Sequence, residues 1–190
     1  MILLASSSPR RREILEMLGL NFKVIPSSAD ETVPKGLSPA QTVEYLSGIK
    51  AEAVFKKHLA EAVTVIGSDT VVIADGVIYG KPTDRDDAFR MLRALSGKTH
   101  QVMTGVTILR SDGNGECIKK SFTSTTDVWF YDLTDEEIRD YIDSGEPMDK
   151  AGAYGIQGQG VFFVEKIDGD YNTVVGFPLA AVGRVLSDRG

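Results

Sequence analysis

Near the start of the chain, Ser6-Ser7-Ser8-Pro9-Arg10-Arg11-Arg12 sets three hydroxyls and three guanidinium groups around a proline. A turn from strand into helix there would present free amides, hydroxyls and guanidinium groups together, a cradle for phosphate. The plainer reading is a capped helix with a solvated basic face. Arginines in a first turn oppose the helix dipole, which favours some compensating role for them. Further on, Gly67-Ser68-Asp69-Thr70 follows an apolar run. An Asp at the end of a buried strand can hold a divalent metal or take a proton from water, although such residues more often satisfy turn amides. Glu31, beside Asp30, offers a second carboxylate, or is simply a solvated loop residue.

Weaker signals accompany these. In Gly80-Lys81-Pro82 the glycine permits close approach, the proline stiffens, and the lysine can neutralise a phosphate oxygen, or be an ordinary turn lysine. Lys50 sits near the apolar face of an expected helix, where a lysine needs a partner or a route to water. Ala153-Tyr154-Gly155-Ile156-Gln157-Gly158-Gln159-Gly160 is rich in glycine and carries two amides. Such a loop lets a ligand approach the backbone, and a Gln side chain can read a base edge; it also fits a flexible loop before a strand. Gly97-Lys98-Thr99 ends like a phosphate-binding P-loop, but Leu92 stands where the first glycine belongs. The spacing of Gly155 to Gly160 is not that of a dinucleotide fingerprint. His58 and His100 are far apart, which gives little support to a histidine metal site or a Ser-His triad.

The elements that must carry these residues alternate between strand and helix. Strands are expected at Ile2 to Ala5, Phe22 to Ile25, Val63 to Gly67, and Val71 to Ala74 turning through Asp75-Gly76 into Val77 to Tyr79. Longer ones are expected at Thr99 to Arg110 and Glu116 to Tyr131 about a turn at Ser111 to Gly115, with another at Val161 to Ile167. Helices should start at Ser8-Pro9, with Ile14, Leu15 and Leu18 on one face and Gly19 as stop, and at Ser38-Pro39-Ala40-Gln41, with Val43, Leu46, Ile49 and Ala53 inward. Others are expected over Thr83 to Leu95, Thr134 to Ser144 and Pro178 to Leu186. The pattern predicts an α/β fold with a central mixed sheet flanked by helices.

With 190 residues, 42% hydrophobic and 25% charged, the chain suits one domain over residues 1–190. Its 21 Lys and Arg against 27 Asp and Glu leave a net charge of -6, which disfavours duplex nucleic acid as a partner. The lone Cys117 excludes an internal disulfide and fits a reducing compartment. Met1 to Ala5 lacks a basic leader and no apolar run spans a bilayer, so no membrane association and a cytoplasmic location are expected.

Taken in order, Leu4-Ala5-Ser6-Ser7-Ser8-Pro9-Arg10-Arg11, Gly67-Ser68-Asp69-Thr70, Gly80-Lys81-Pro82, Ser96-Gly97 and Tyr154-Gly155-Ile156-Gln157-Gly158 resemble the Maf family of nucleotide pyrophosphatases, associated with septum inhibition. The match runs over essentially the whole chain. The resemblance implies two lobes around a deep cleft, similar to the inosine-triphosphate pyrophosphatases, a divalent cation (Mg or Mn), and a homodimer. It implies a nucleoside triphosphate substrate cleaved to the monophosphate and pyrophosphate, with a link to cell division or septum arrest. Asp69 would be catalytic and, with Glu31, a metal ligand. Ser6, Ser8, Arg11, Arg12, Lys50 and Lys81 would bind phosphate, Arg11 and Arg12 being able to exchange roles in a run of three. Arg11, Thr70 and Gln157 resemble the subgroup acting on dTTP and UTP. The rival readings are a nucleotide-sensing regulator of septum formation with little hydrolysis, and a pyrophosphatase for purine or 7-methylguanosine triphosphates.

Overall fold

The computed structural model describes residues 1–113 and 117–188. Seven strands form one sheet: β1 (Ile2–Leu4), β2 (Phe22–Val24), β3 (Ala62–Ala74), β4 (Val77–Tyr79), β5 (Thr99–Asp112), β6 (Cys117–Phe130) and β7 (Val164–Asp168). Their order is β2-β1-β3-β5-β6-β7, with β4 paired to β3. β1 runs parallel to β2 and β3, whereas β3/β4 and β6/β7 are antiparallel, so the sheet is mixed as expected. Part of the turn expected at 111–115 lies outside the described residues, as does Glu116. Among the described residues six α-helices accompany the strands: α1 (Pro9–Glu16), α2 (Pro39–Phe55), α3 (Arg85–Leu95), α4 (Asp135–Asp143), α5 (Tyr171–Val175) and α6 (Leu179–Ser187). No helix among the described residues is long and apolar enough to cross a membrane.

Contacts divide the chain into two compact units. The first comprises residues 1–69, 104–124 and 176–190, and the second residues 70–103 and 125–175. In the first unit, Leu3, Ala5, Ala51, Val54, Phe55, Val63, Val65 and Leu109 form a buried cluster under α2. The placement of α2 depends on two glycines. A Cβ on Gly67 of β3 would lie 2.2 Å from the Ser47 carbonyl oxygen, and one on Gly105 of β5 would lie 2.4 Å from that of Val43. The helix backbone therefore lies directly on the sheet, which no other residue would permit at either position.

This corrects two expectations. Gly67-Ser68-Asp69-Thr70 is not a strand end: β3 continues through it for 13 residues. The glycine that reads as a breaker is there to admit the helix. The buried stripe of α2 is also rotated from the one expected. Val43, Leu46, Ser47, Lys50, Ala51 and Val54 are buried, while Ile49 and Ala53 are only half-buried. Lys50 thus belongs to the inward face at helical spacing.

The second unit is built on Val72, Val102, Val128 and Phe130 of the strands, packed by Ala88, Met91, Leu92 and Leu95 of α3 and by Ile138, Tyr141 and Ile142 of α4. Leu92 and Ile138 are wholly inaccessible, so trimming either to Ala costs about 2–5 kcal/mol. Caps set the helix starts. Asp84 accepts the Asp87 amide at 2.7 Å, so α3 begins at Arg85, two residues later than the expected start at Thr83. Thr134 and Glu137 form a reciprocal capping box. The β3/β4 turn is the expected Asp75-Gly76, with φ of 50° and 76°. The strand expected from Val161 begins only at Val164, because Gly158–Phe163 coils into a 3-10 helix.

Candidate active site

The first unit holds seven of the expected site residues: Ser6, Ser8, Arg11, Arg12, Glu31, Lys50 and Asp69. β1 leads into Ser6, which is buried, and Ser8 caps α1 by accepting the Arg11 amide at 3.4 Å. The Ser6 hydroxyl accepts the Ser8 amide at 3.2 Å and Arg11 Nη1 at 3.4 Å. Arg11 Nε donates to the Gly176 carbonyl at 2.9 Å, and the Ser68 hydroxyl donates to the same oxygen at 3.2 Å. Arg11 is thus turned back along the start of its own helix. Burial pulls its guanidinium below the usual arginine range, and Arg10 adds to this, while Asp69 and Glu31 oppose it. Arg12 differs in kind. Its side chain is 63% exposed and pairs with Glu16 one turn on, at 2.9 Å. The geometry therefore separates the two arginines that the sequence left exchangeable.

Gly67 and Asp69 lie two residues apart on β3 and share the face that meets α2. That alignment lets Lys50, on the inward stripe of α2, reach Asp69: Nζ lies 2.6 Å from Oδ1. The same ammonium lies 3.0 Å from a Glu31 carboxylate oxygen. The Lys50 and Asp69 side chains are only 11% and 14% exposed, against 55% for Glu31. Neighbouring Asp30 is instead spent on its own loop, accepting the Thr32 amide at 3.0 Å and hydroxyl at 2.7 Å. Of the two loop carboxylates, Glu31 is the one presented to the lysine.

Both carboxylates meet the Lys50 ammonium, and oxygen ligands of their kind also suit a hard divalent cation. Magnesium held with substrate phosphates commonly takes one or two protein carboxylates and completes its shell with water and phosphate oxygen. Asp69 and Glu31 fit that requirement in number and in ligand type. Among the described residues there is no group of three or more His, Cys, Asp or Glu placed as a self-sufficient metal cage. His58 bonds Glu61 at 2.8 Å, and His100 is buried against Tyr154, so neither offers itself as a ligand.

Three expected residues lie in the second unit. Thr70 is half-buried and follows Asp69 directly on β3. Lys81 is exposed after β4, between Gly80, whose carbonyl accepts the Gly152 amide at 3.0 Å, and buried Pro82. Gln157 is exposed at the head of the 3-10 turn.

A family model described as Maf-like protein matches residues 1–189. The chain belongs to the Maf family. Curated relatives called dTTP/UTP pyrophosphatase are similar over most of their lengths. That of Bacillus pumilus (strain SAFR-032) is 48% identical, covering 100% of this chain and 96% of that protein. That of Carboxydothermus hydrogenoformans is 50% identical, with 100% and 98% covered. The Thermotoga maritima protein is 49% identical, with 100% and 89% covered. A solved structure of the Staphylococcus aureus Ham1 protein aligns with a TM-score of 0.48 at 17% identity, over 84% of this chain and 77% of that one.

Sequence reasoning about this Maf protein missed Gly176 and left Ser68 without a role. Gly176, at φ 110°, holds a backbone geometry that favours glycine, and its carbonyl anchors both Ser68 and Arg11. The one available signal was a glycine two residues ahead of the closing proline-started helix.

Proposed function

We propose that this Maf protein is a divalent-cation-dependent pyrophosphatase that cleaves dTTP and UTP to the monophosphate and pyrophosphate, residues 1–190 acting as one domain. The observation that carries this reading is the convergence of Asp69 and Glu31 on Lys50, beside a guanidinium tied to Ser6. The names of relatives about half identical along most of their lengths support the substrate class.

A nucleoside triphosphate repels the water that must attack it, so its charge has to be neutralised first. Lys50, Arg11 and Lys81 supply fixed positive charge, while the Ser6 and Ser8 hydroxyls and the first amides of α1 donate hydrogen bonds to phosphate oxygens. Asp69 orients the attacking water and takes its proton as the α–β phosphoanhydride breaks. Asp69 and Glu31 would hold a divalent cation, which would supply positive charge against the negative charge gathering on the departing pyrophosphate. Lys50, already paired with both carboxylates, holds them in place. Arg12, paired with Glu16 at the surface, is left outside the phosphate set. Arg11, Thr70 and Gln157 select the base, the Gln157 amide matching the carbonyl and N–H groups of thymine or uracil.

Purified protein stripped with a chelator and then resupplied with magnesium or manganese tests this, with dTTP and UTP as substrates. Metal-restored release of pyrophosphate is the expected outcome. Chelator-resistant turnover, or orthophosphate as the first product, overturns the reading.

A further inference from the structure

Gln157 sits in a stretch of backbone held from both sides. On one side the Gly155 amide donates to the Tyr141 hydroxyl at 3.1 Å. On the other, the amides of Gln159 and Gly160 donate to the Glu146 carboxylate at 3.1 and 3.4 Å. The Tyr141 hydroxyl in turn donates to Glu146 at 2.9 Å, so one phenol and one carboxylate join the two flanks. The glycines show how closely the loop is drawn in. Gly158 has φ of 67°, and a Cβ there would lie 2.6 Å from a Glu146 carboxylate oxygen. A Cβ on Gly160 would meet the Gly155 carbonyl oxygen at 2.1 Å.

Burial holds the Tyr141 phenol well above its usual range, so it stays protonated as the donor to Glu146. Against this fixed backbone, the Gln157 side chain is exposed and makes no hydrogen bond among the described residues. A rigid support carrying one unspent amide is what a recognition residue needs, since the ordering cost falls on the fold and not on the ligand.

We infer that Tyr141 and Glu146 are specificity-determining positioning residues, which aim the Gln157 carboxamide by clamping the backbone on either side of it. This rests on the proposed role of Gln157 in reading the base. The variants Tyr141→Phe and Glu146→Gln test it, with kcat and KM measured for dTTP, UTP and dGTP, and amide hydrogen exchange followed over residues 155–160. Both variants should raise KM for dTTP and UTP about tenfold, the effect of losing one or two such bonds, while kcat moves little. The preference for dTTP over dGTP should shrink, and the Gly155 and Gln159 amides should exchange faster. Gln157→Ala, run in parallel, separates the two layers of argument. If Gln157→Ala keeps the preference, Gln157 does not read the base. If it loses the preference while Tyr141→Phe and Glu146→Gln keep it, the clamp alone is overturned. An equal loss on all three triphosphates also overturns the clamp, as a merely structural effect. Should Glu146→Gln fail to fold, Tyr141→Phe decides the matter, since it removes only a hydroxyl.

Discussion

Lys50 Nζ lies 2.6 Å from Asp69 Oδ1, joining the inward stripe of α2 to the middle of β3. Because both side chains are largely buried, the pair is hard to break from one end. Lys50→Met leaves Asp69 and Glu31 without their counter-charge and should cost roughly 1–3 kcal/mol of stability, less than for a fully buried pair because Glu31 is half exposed. Asp69→Asn removes one of those charges, so the double variant should recover part of that loss in urea unfolding. A double variant less stable than Lys50→Met would mean that packing, not charge, sets the cost.

Asp69→Asn alone should keep the fold, since Glu31 still offsets Lys50. Turnover of dTTP should fall ~100- to 10,000-fold, the range expected when general-base help is lost. Near-normal turnover would move the catalytic role to another group.

Arg11 and Arg12 should part company in the same assay. Arg11→Ala loses bonds to Ser6 and Gly176 and a charge beside Asp69, so kcat/KM should drop roughly 10- to 100-fold. Arg11→Lys should rescue little, because a point charge cannot make both bonds at the same geometry. Arg12→Ala gives up one exposed helix pair, worth about 0.3–0.5 kcal/mol, and should leave kcat/KM unchanged. Equal losses from the two alanine variants would contradict the separation seen here.

What could be read from sequence, and what could not, follows the range of the forces involved. The caps at Ser8, Ser38 and Thr134 and the Asp75-Gly76 turn are settled within four residues, so local chemistry declares them. Lys50 could be placed near an apolar face, but its burial depends on Asp69, 19 positions away. The Gly176 carbonyl that anchors Arg11 lies 165 positions along the chain and leaves no local mark. The 3-10 turn that replaces the first residues of the strand expected from Val161 is likewise fixed from a distance: Glu146, 13 positions before Gln159, holds the Gln159 and Gly160 amides.

Gly67→Ala tests the close seating of α2 on β3. The added methyl would sit 2.2 Å from the Ser47 carbonyl oxygen and 2.8 Å from the Ala51 nitrogen, both backbone atoms that cannot step aside alone. The helix must lift, and it carries Lys50 with it. A loss of about 1–3 kcal/mol is expected from overpacking of this kind, together with a fall in kcat. Unchanged melting and turnover would mean that the helix accommodates the methyl without strain.

His100 predicts the acid limb of stability. It is buried between Phe130 and Tyr154, with Nε2 bonded to the Tyr154 hydroxyl at 2.7 Å and Nδ1 without a partner among the described residues. Burial pushes its pKa from 6.5 down to about 4. The unfolded chain therefore binds this proton first as the pH falls, and stability from this group is complete above 6.5 and lost progressively between 6.5 and 4. The loss should reach about 3 kcal/mol at full protonation. Denaturant unfolding across that window should show a slope that His100→Gln flattens. A slope unchanged by the substitution would assign the acid limb to other groups.

The base preference should turn on one atom of Gln157. A thymine or uracil edge offers carbonyl acceptors around one N–H donor, and a neutral carboxamide can serve both kinds of group. A carboxylate there only accepts, so Gln157→Glu should repel the carbonyl edge and weaken use of dTTP and UTP. A methylated guanine is cationic, with donors on its edge, and suits the carboxylate instead. Discrimination at a hydrogen-bonding site can be large, because the wrong base leaves buried groups unpaired. The exposed amide is not committed to any hydrogen bond among the described residues, so the substitution should not disturb the clamp formed by Tyr141 and Glu146. Steady-state kinetics with dTTP, UTP and 7-methylguanosine triphosphate should show the first two falling and the third holding or rising. If all three fall alike, Gln157 braces its loop without reading the base, and selection rests with Arg11 and Thr70.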